Sequence, residues 1–391
     1  MDNARDPQAS LRDDVRLLGE VQDATLREQG GDALYEPVEA IRRLAVDVRA
    51  GRATPAALAE RLDALDGNGL LAGARAFSQF LNLANIAEQH HRVRRRVPND
   101  ALATLAAALR ARGVPPAQLA QAVLSLSVEL VLTAHPTEVT RRTLMHKYDA
   151  IAGSLALLDR PGLSPAERRR AQDELRRQVA SAWHTDEIRH TRPTPVDEAK
   201  WGFATVEQTL WHAVPQFLRE LDQWLRTEAG VPLPLAATPV RFASWMGGDR
   251  DGNPFVTHAV TREVLLLARW QAADLFLRDV EQLLGELSMH AADAALRAQV
   301  GDVAEPYRAL LRSLRDRLRN TLDWIEAGLA GAEPPALDII ADDEDLRAPL
   351  QLAYDSLVAC GLGRIADGPL LDTLRRVAVF GCSLVRLDIR Q

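Results

Sequence analysis

Residues 133–143, Thr-Ala-His-Pro-Thr-Glu-Val-Thr-Arg-Arg-Thr, gather an imidazole, a carboxylate and two guanidinium groups within a few positions. Neutral imidazole accepts protons near neutral pH, and arginines just beyond it imply a site that must hold an anion. His135 is therefore the first candidate for proton transfer, against the plainer reading of a hydrogen-bonded core histidine. The apolar run before it, Ser127 to Ala134, reads as a buried strand, and Pro136 should end that strand near His135. Two further runs have the same form. Pro239–Trp245 leads into Met-Gly-Gly-Asp-Arg-Asp-Gly-Asn-Pro at 246–254, and Cys382–Ile389 leads into Arg390 and Gln391. Each follows a long helical stretch and ends in polar or charged groups. Consecutive β/α units with their chemistry at one rim have this layout.

Helix should dominate the rest. Thr54-Pro55 and Ser164-Pro165-Ala166-Glu167 are N-cap signals with proline at the first helical position, and the second is a capping box opening a helix to about Arg189. Apolar residues from Val196 to Trp224 keep helical spacing, with a kink expected at Pro215. A long amphipathic segment covers roughly 262–289, and Asp100–Arg112 forms a helix closed by Gly113. Ala332-Glu-Pro-Pro335 and the acidic stretch 341–345 read as solvated loop. The expected fold is mostly α-helical with strands near 128–134, 239–245 and 383–389, the first three of an incomplete (β/α)8 TIM-type barrel. Residues 1–126 form an outer helical layer, and 127–391 hold three β/α units with long helical insertions, cut short at the C-terminus.

Composition narrows the class. An apolar fraction of 47% supplies a packed core, and a net charge of −7 argues against nucleic-acid or anionic-membrane partners. Two cysteines, Cys360 and Cys382, make neither a disulfide framework nor a metal cluster. The polar N-terminus lacks a signal core, and no apolar run is long enough to span a bilayer, so the expected compartment is the cytoplasm. Among 47 basic residues only Lys147 and Lys200 are lysine, and both fall inside motif-rich blocks, where chance or ordinary ion pairing explains them as well as chemistry does. The nine histidines show no HExxH, and neither His90-His91 nor His184 with His190 has metal-ligand spacing.

TAHPTEVTRR at 133–142, HTDEIRHTRPTPVDEAKWGF at 184–203, FASWMGGDRDGNP at 242–254 and LVRLDIRQ at 384–391 resemble phosphoenolpyruvate carboxylase, with similarity from about Leu17 to the last residue. The resemblance implies a lyase that carboxylates phosphoenolpyruvate with bicarbonate to oxaloacetate and phosphate, an anaplerotic carbon dioxide-fixing step that feeds the tricarboxylic acid cycle. In that chemistry bicarbonate attacks phosphorus, carboxyphosphate forms beside an enolate, and the enolate captures CO₂. His135 matches the family's catalytic base, and Arg390 matches an arginine assigned to phosphoenolpyruvate. Trp245 with Met246 would wall the enolate from water, while glycines 247 and 248 allow close backbone approach or a tight turn. Arg142 and Arg250 complete the substrate-binding candidates. Position alone leaves open whether Arg141, Arg142 or neither faces inward, and Asp249-Arg250-Asp251 reads equally as a rim of ion pairs.

The family is more than twice this long, so the chain is expected to be its N-terminal portion. Its Mg²⁺ or Mn²⁺ ligands should lie in later segments, and the missing C-terminal portion is an implied partner, as is assembly into a homotetramer. The chain alone is expected to be inactive and to associate through open apolar surface. The alternatives are a non-catalytic helical scaffold or partner-binding fragment, and a metal-dependent hydrolase on a similar barrel.

Overall fold

The computed structural model describes residues 8–95, 100–133, 142–186 and 193–390. In chain order the helices before the first strand are α1 (Ala9–Arg49), α2 (Pro55–Asp63), α3 (Gly67–Arg95), α4 (Asp100–Ala111) and α5 (Pro116–Leu124). Strand β1 (Val128–Leu132) is followed by α6 (Arg142–Leu158), α7 (Pro165–Trp183), α8 (Pro195–Thr205) and α9 (Trp211–Ala229), then by β2 (Val240–Ser244). Next come α10 (His258–Glu286), α11 (Ala294–Val300), α12 (Pro306–Leu329), α13 (Asp343–Ala359), α14 (Gly363–Ala366) and α15 (Pro369–Phe380), before β3 (Arg386–Leu387). The first two strands fall where the sequence places them, whereas the third, expected over 383–389, is only Arg386–Leu387, because Gly381–Ser383 form a 3-10 turn and Leu384 has positive φ. The three form a parallel sheet in the order β1-β2-β3. Parallel neighbours in sequence order, joined through helices, are what β/α units build.

The chain divides into two compact units, one of residues 1–100 and 140–190, the other of 101–139 and 191–391. In the first, Leu18, Leu83, Ile151, Leu155, Leu175 and Val179 from α1, α3, α6 and α7 make a common core. Buried amides tie these helices together, with Gln22 Nε2 on the Ala76 carbonyl at 2.7 Å and Gln79 Nε2 on that of Val179 at 2.9 Å. The span of α1 is interrupted at Gly31, whose φ of 60° and ψ of −166° are not helical.

The second unit packs its helices around β2 in one large core. The capping box read at Ser164 forms, its side chain accepting from the N3 amide while Glu167 bonds back, and Thr194, not read as a cap from sequence, does the same with Asp197. The acidic stretch read as loop is corrected. Only its first residues are loop; Asp342 caps α13 with Asp345 in a reciprocal box, because carboxylates are favoured where a helix exposes its amides. The segment read as amphipathic is α10, which packs against α8, α12 and α15 and is therefore buried on more than one side.

At Pro215 the expected kink takes a different form. A π-helical turn, Val206–Leu210, separates α8 from α9, and Pro215 lies inside α9. Proline has no amide for the Trp211 carbonyl one turn earlier. Arg376 of α15 supplies the donor instead, Nε to the Trp211 oxygen at 2.8 Å, and places Nη1 2.8 Å from Asp279. The Trp211 ring stacks on Phe380, which stacks on Phe242 of β2. Burial and the neighbouring Asp343 carboxylate push the Cys382 thiol up to about 11, so it is an inert neutral thiol.

The first strand is not buried. Val128, Leu130 and Val131 are 42%, 50% and 39% exposed, because β1 is the sheet's edge and its outer side meets no strand among the described residues. The composition of the run fits a buried strand, but its neighbours do not cover it.

Candidate functional site

The C-terminal ends of β2 and β3 meet in a small rim. The Trp245 amide extends the β1–β2 ladder to the Leu132 carbonyl at 3.2 Å, after which the chain turns sharply. The amide of Gly248 donates back to Trp245 at 2.9 Å, and Gly247 at the third position has φ 80°. A type II turn needs positive φ there, which glycine supplies without strain. A Cβ on Gly248 would sit 2.3 Å from the Asp388 carbonyl, so its bareness lets two backbones, rather than a ligand, come together.

Beyond the turn the strands lock reciprocally: Arg390 N–H donates to Gly248 at 3.0 Å, and Arg250 N–H to Arg390 at 3.0 Å. Asp249 and Arg390 thus form a parallel bridge past the end of β3. This brings the Arg390 guanidinium over the Trp245 indole, 4.1 Å from the ring centroid. The indole N–H donates to Asp388 Oδ2 at 3.3 Å. Asp388 and Arg390, two apart, lie on one side of an extended chain. Asp388 therefore fixes the indole edge while Arg390 covers its face. Asp388 was not singled out by sequence reasoning, although its two-residue spacing from Arg390 is the signal that finds it.

The other candidates are distributed differently. His135 and Arg141 lie outside the described residues. Arg142 opens α6 in the first unit, and its side chain is likewise outside the description. Arg250 is part-buried at the rim, and its Nε is buried with no hydrogen-bond partner among the described residues. Among the described residues Asp249 accepts from the Asp251 amide at 3.1 Å, and Asp249, Arg250 and Asp251 enter no ion pair. Short aspartates in a glycine-rich turn bond their own backbone instead. Met246 turns away from the rim. It is 4% exposed, and its methyl would collide with any Cβ on Gly202 of α8, so it packs the core. Lys200 is exposed on α8, and Lys147 is half-buried on α6.

Among the described residues no cluster of three or more His, Cys, Asp or Glu side chains is placed to hold a metal ion. The rim carboxylates, Asp249 and Asp388, are engaged by an amide and an indole. No described helix is long and apolar enough to cross a membrane.

Comparison with known proteins agrees with the motifs. The phosphoenolpyruvate carboxylase family profile matches residues 11–391. A phosphoenolpyruvate carboxylase of Ectopseudomonas mendocina (strain ymp) is 59% identical over 98% of this chain and 44% of its own length. Those of Pseudomonas aeruginosa PAO1 and Pseudomonas fluorescens Pf-5 are 57% and 56% identical, over 98% and 99% of this chain and 44% and 45% of their own lengths. The chain thus spans a little under half the length of these relatives. With a family match over nearly all its residues, this chain belongs to the phosphoenolpyruvate carboxylase family.

Proposed function

We propose that this chain is the N-terminal part of an enzyme that carboxylates phosphoenolpyruvate with bicarbonate to give oxaloacetate and phosphate. The single observation that supports this best is the family match over a segment whose rim holds Arg390 on Trp245. A guanidinium over an aromatic face keeps its in-plane N–H donors for the oxygens of an anion. Arg390 would take phosphate or carboxylate oxygens of phosphoenolpyruvate, with Arg250 and Arg142 as further cations. Trp245 would stand between the enolate and water, since protonation of the enolate wastes it as pyruvate. His135 would accept the carboxyl proton of carboxyphosphate as CO₂ leaves. A divalent cation enters this reading through the family alone and supplies charge neutralisation at phosphate. The described residues offer it no fitting ligand set.

The three parallel strands are read as the first part of a (β/α)8 barrel, closed by segments of the longer protein against the open edge of β1. The longer protein is read as a cytoplasmic homo-oligomer. The test is the chain joined to the C-terminal portion of such a relative, assayed for oxaloacetate with phosphoenolpyruvate, bicarbonate and Mg²⁺. His135→Asn should keep phosphoenolpyruvate binding and lose oxaloacetate formation by ~10²–10⁴-fold. Trp245→Ala should raise the ratio of pyruvate to oxaloacetate. A folded long protein that makes no oxaloacetate, or robust carboxylation by the 391-residue chain alone, overturns the reading.

A further inference from the structure

The chain passes from α15 into β3 through a conformation that L-residues rarely adopt. Leu384 has φ 62° and ψ −56°, and it is the one non-glycine residue with positive φ among the described residues. The Val385 amide donates to the Ser383 carbonyl, across Leu384, at 2.7 Å. A bond from i to i+2 around such a residue is the rare, strained form of the γ-turn. Leu384 is nevertheless fully buried, at 0% exposure.

Such a residue persists only where its surroundings leave it no alternative. Upstream, Gly381 has φ 54°, the Asp343 carboxylate accepts the Cys382 amide at 2.7 Å, and a Cβ on Gly381 would lie 2.5 Å from that carboxylate. Downstream, the Asp388 amide is held by Ser244 at 2.9 Å and the Arg390 amide by Gly248 at 3.0 Å. The strand between these anchors pairs with β2 at Arg386 and Leu387 alone. So short a ladder leaves its register to the anchors on either side, and a slip of one residue would exchange Arg390 for Ile389 at the indole face.

We propose that Leu384 is a positioning residue, whose buried side chain holds the γ-turn that sets the register of β3 and so delivers Arg390 to Trp245. Its consequence for substrate rests on the reading of Arg390 as a phosphoenolpyruvate contact; the backbone device does not. The tight reversal leaves β3 one way to begin, and the buried leucine prevents the turn from relaxing.

Substitutions at 384 separate strain from packing. Leu384→Ala and Leu384→Gly both remove the side chain, but only glycine relieves the backbone. The glycine variant should therefore melt about 2–4 °C above the alanine variant, reversing glycine's usual disadvantage. In both, the amides of Asp388 and Arg390 should exchange ~10-fold faster than in the parent chain, while α15 stays protected. Leu384→Ile keeps the volume but adds β-branching at positive φ, so it should loosen the same amides; Leu384→Met should behave like the parent. In the long enzyme the loosening variants should raise KM for phosphoenolpyruvate by about tenfold and change kcat less. A glycine variant melting at or below alanine, or parent-like exchange at Asp388 and Arg390 in the glycine and isoleucine variants, overturns the proposal. If Arg390→Ala leaves KM unchanged, the substrate reading fails, while melting and exchange still decide the turn.

Discussion

Strands β1 and β2 run side by side in register over Val128–Leu132 and Val240–Ser244, yet their surroundings are opposite. Phe242, Ala243 and Ser244 are 6%, 1% and 1% exposed, while Val128 and Leu130 of β1 are 42% and 50% exposed. By composition β1 is the more apolar. The strand with an arginine and a serine is buried because α15 packs on it and Phe380 stacks on Phe242. Apolar content states what cover a strand requires; the elements on its two faces decide whether it has that cover. Exposed branched residues on an unpaired edge are a liability in water. In the proposed barrel, segments of the longer protein would cover them.

The sharpest way to break this contrast is truncation on each strand. Phe242→Ala should cost ~3–5 kcal/mol in the chain as given, since it opens a cavity beside Phe380, whereas Leu130→Ala should stay within ~0.5 kcal/mol. Urea unfolding of both variants measures the difference, and equal costs would mean the two strands are equally embedded. The same Leu130→Ala in the longer protein should then cost ~2–3 kcal/mol, if later segments cover β1. An unchanged small cost there would leave the barrel reading without support.

A smaller effect is expected at the helix that clamps the approach to β3. Asp345 in the first turn of α13 is held below the usual carboxylate range chiefly by its hydrogen bond from Arg317, at 2.8 Å. A depressed carboxyl pKa adds stability above the unfolded value and loses it as pH falls through the folded one. Asp345→Asn should therefore cost about 1 kcal/mol near neutral pH, and the gap from the parent should close below about pH 4. A gap that does not shrink as pH falls below about 4 would assign the loss to something other than the charge. Smallest of all is Glu129→Gln. Glu129 reaches across β2 to Arg386 at 3.0 Å, but both side chains are well exposed, so the cost should be below ~0.5 kcal/mol and vanish in molar salt.

Much of the frame was legible because its signals are local. The positions of β1 and β2 follow from short apolar runs, and helix starts from Thr54 and Ser164 with their prolines. The rim was legible in part: Trp245 and Arg390 were candidates and are found in contact, whereas Asp388 and the inward turn of Met246 were not foreseen. What escaped depends on distant residues or on identities that carry no signal. Leucine does not announce positive φ, nor four consecutive acidic residues a helix start, and the exposure of β1 is decided by its neighbours rather than its composition.

The Trp211 carbonyl illustrates the point on another scale, that of time. Pro215 denies it a local donor, and its replacement, Arg376, lies 165 residues later in the chain. A ribosome adding ~5–20 residues per second needs roughly 8–33 s to reach that arginine. Through that interval the junction between α8 and α9 carries an unanswered acceptor. Its final shape waits for α15, so this stretch of helix is finished only after the strand it precedes has been made.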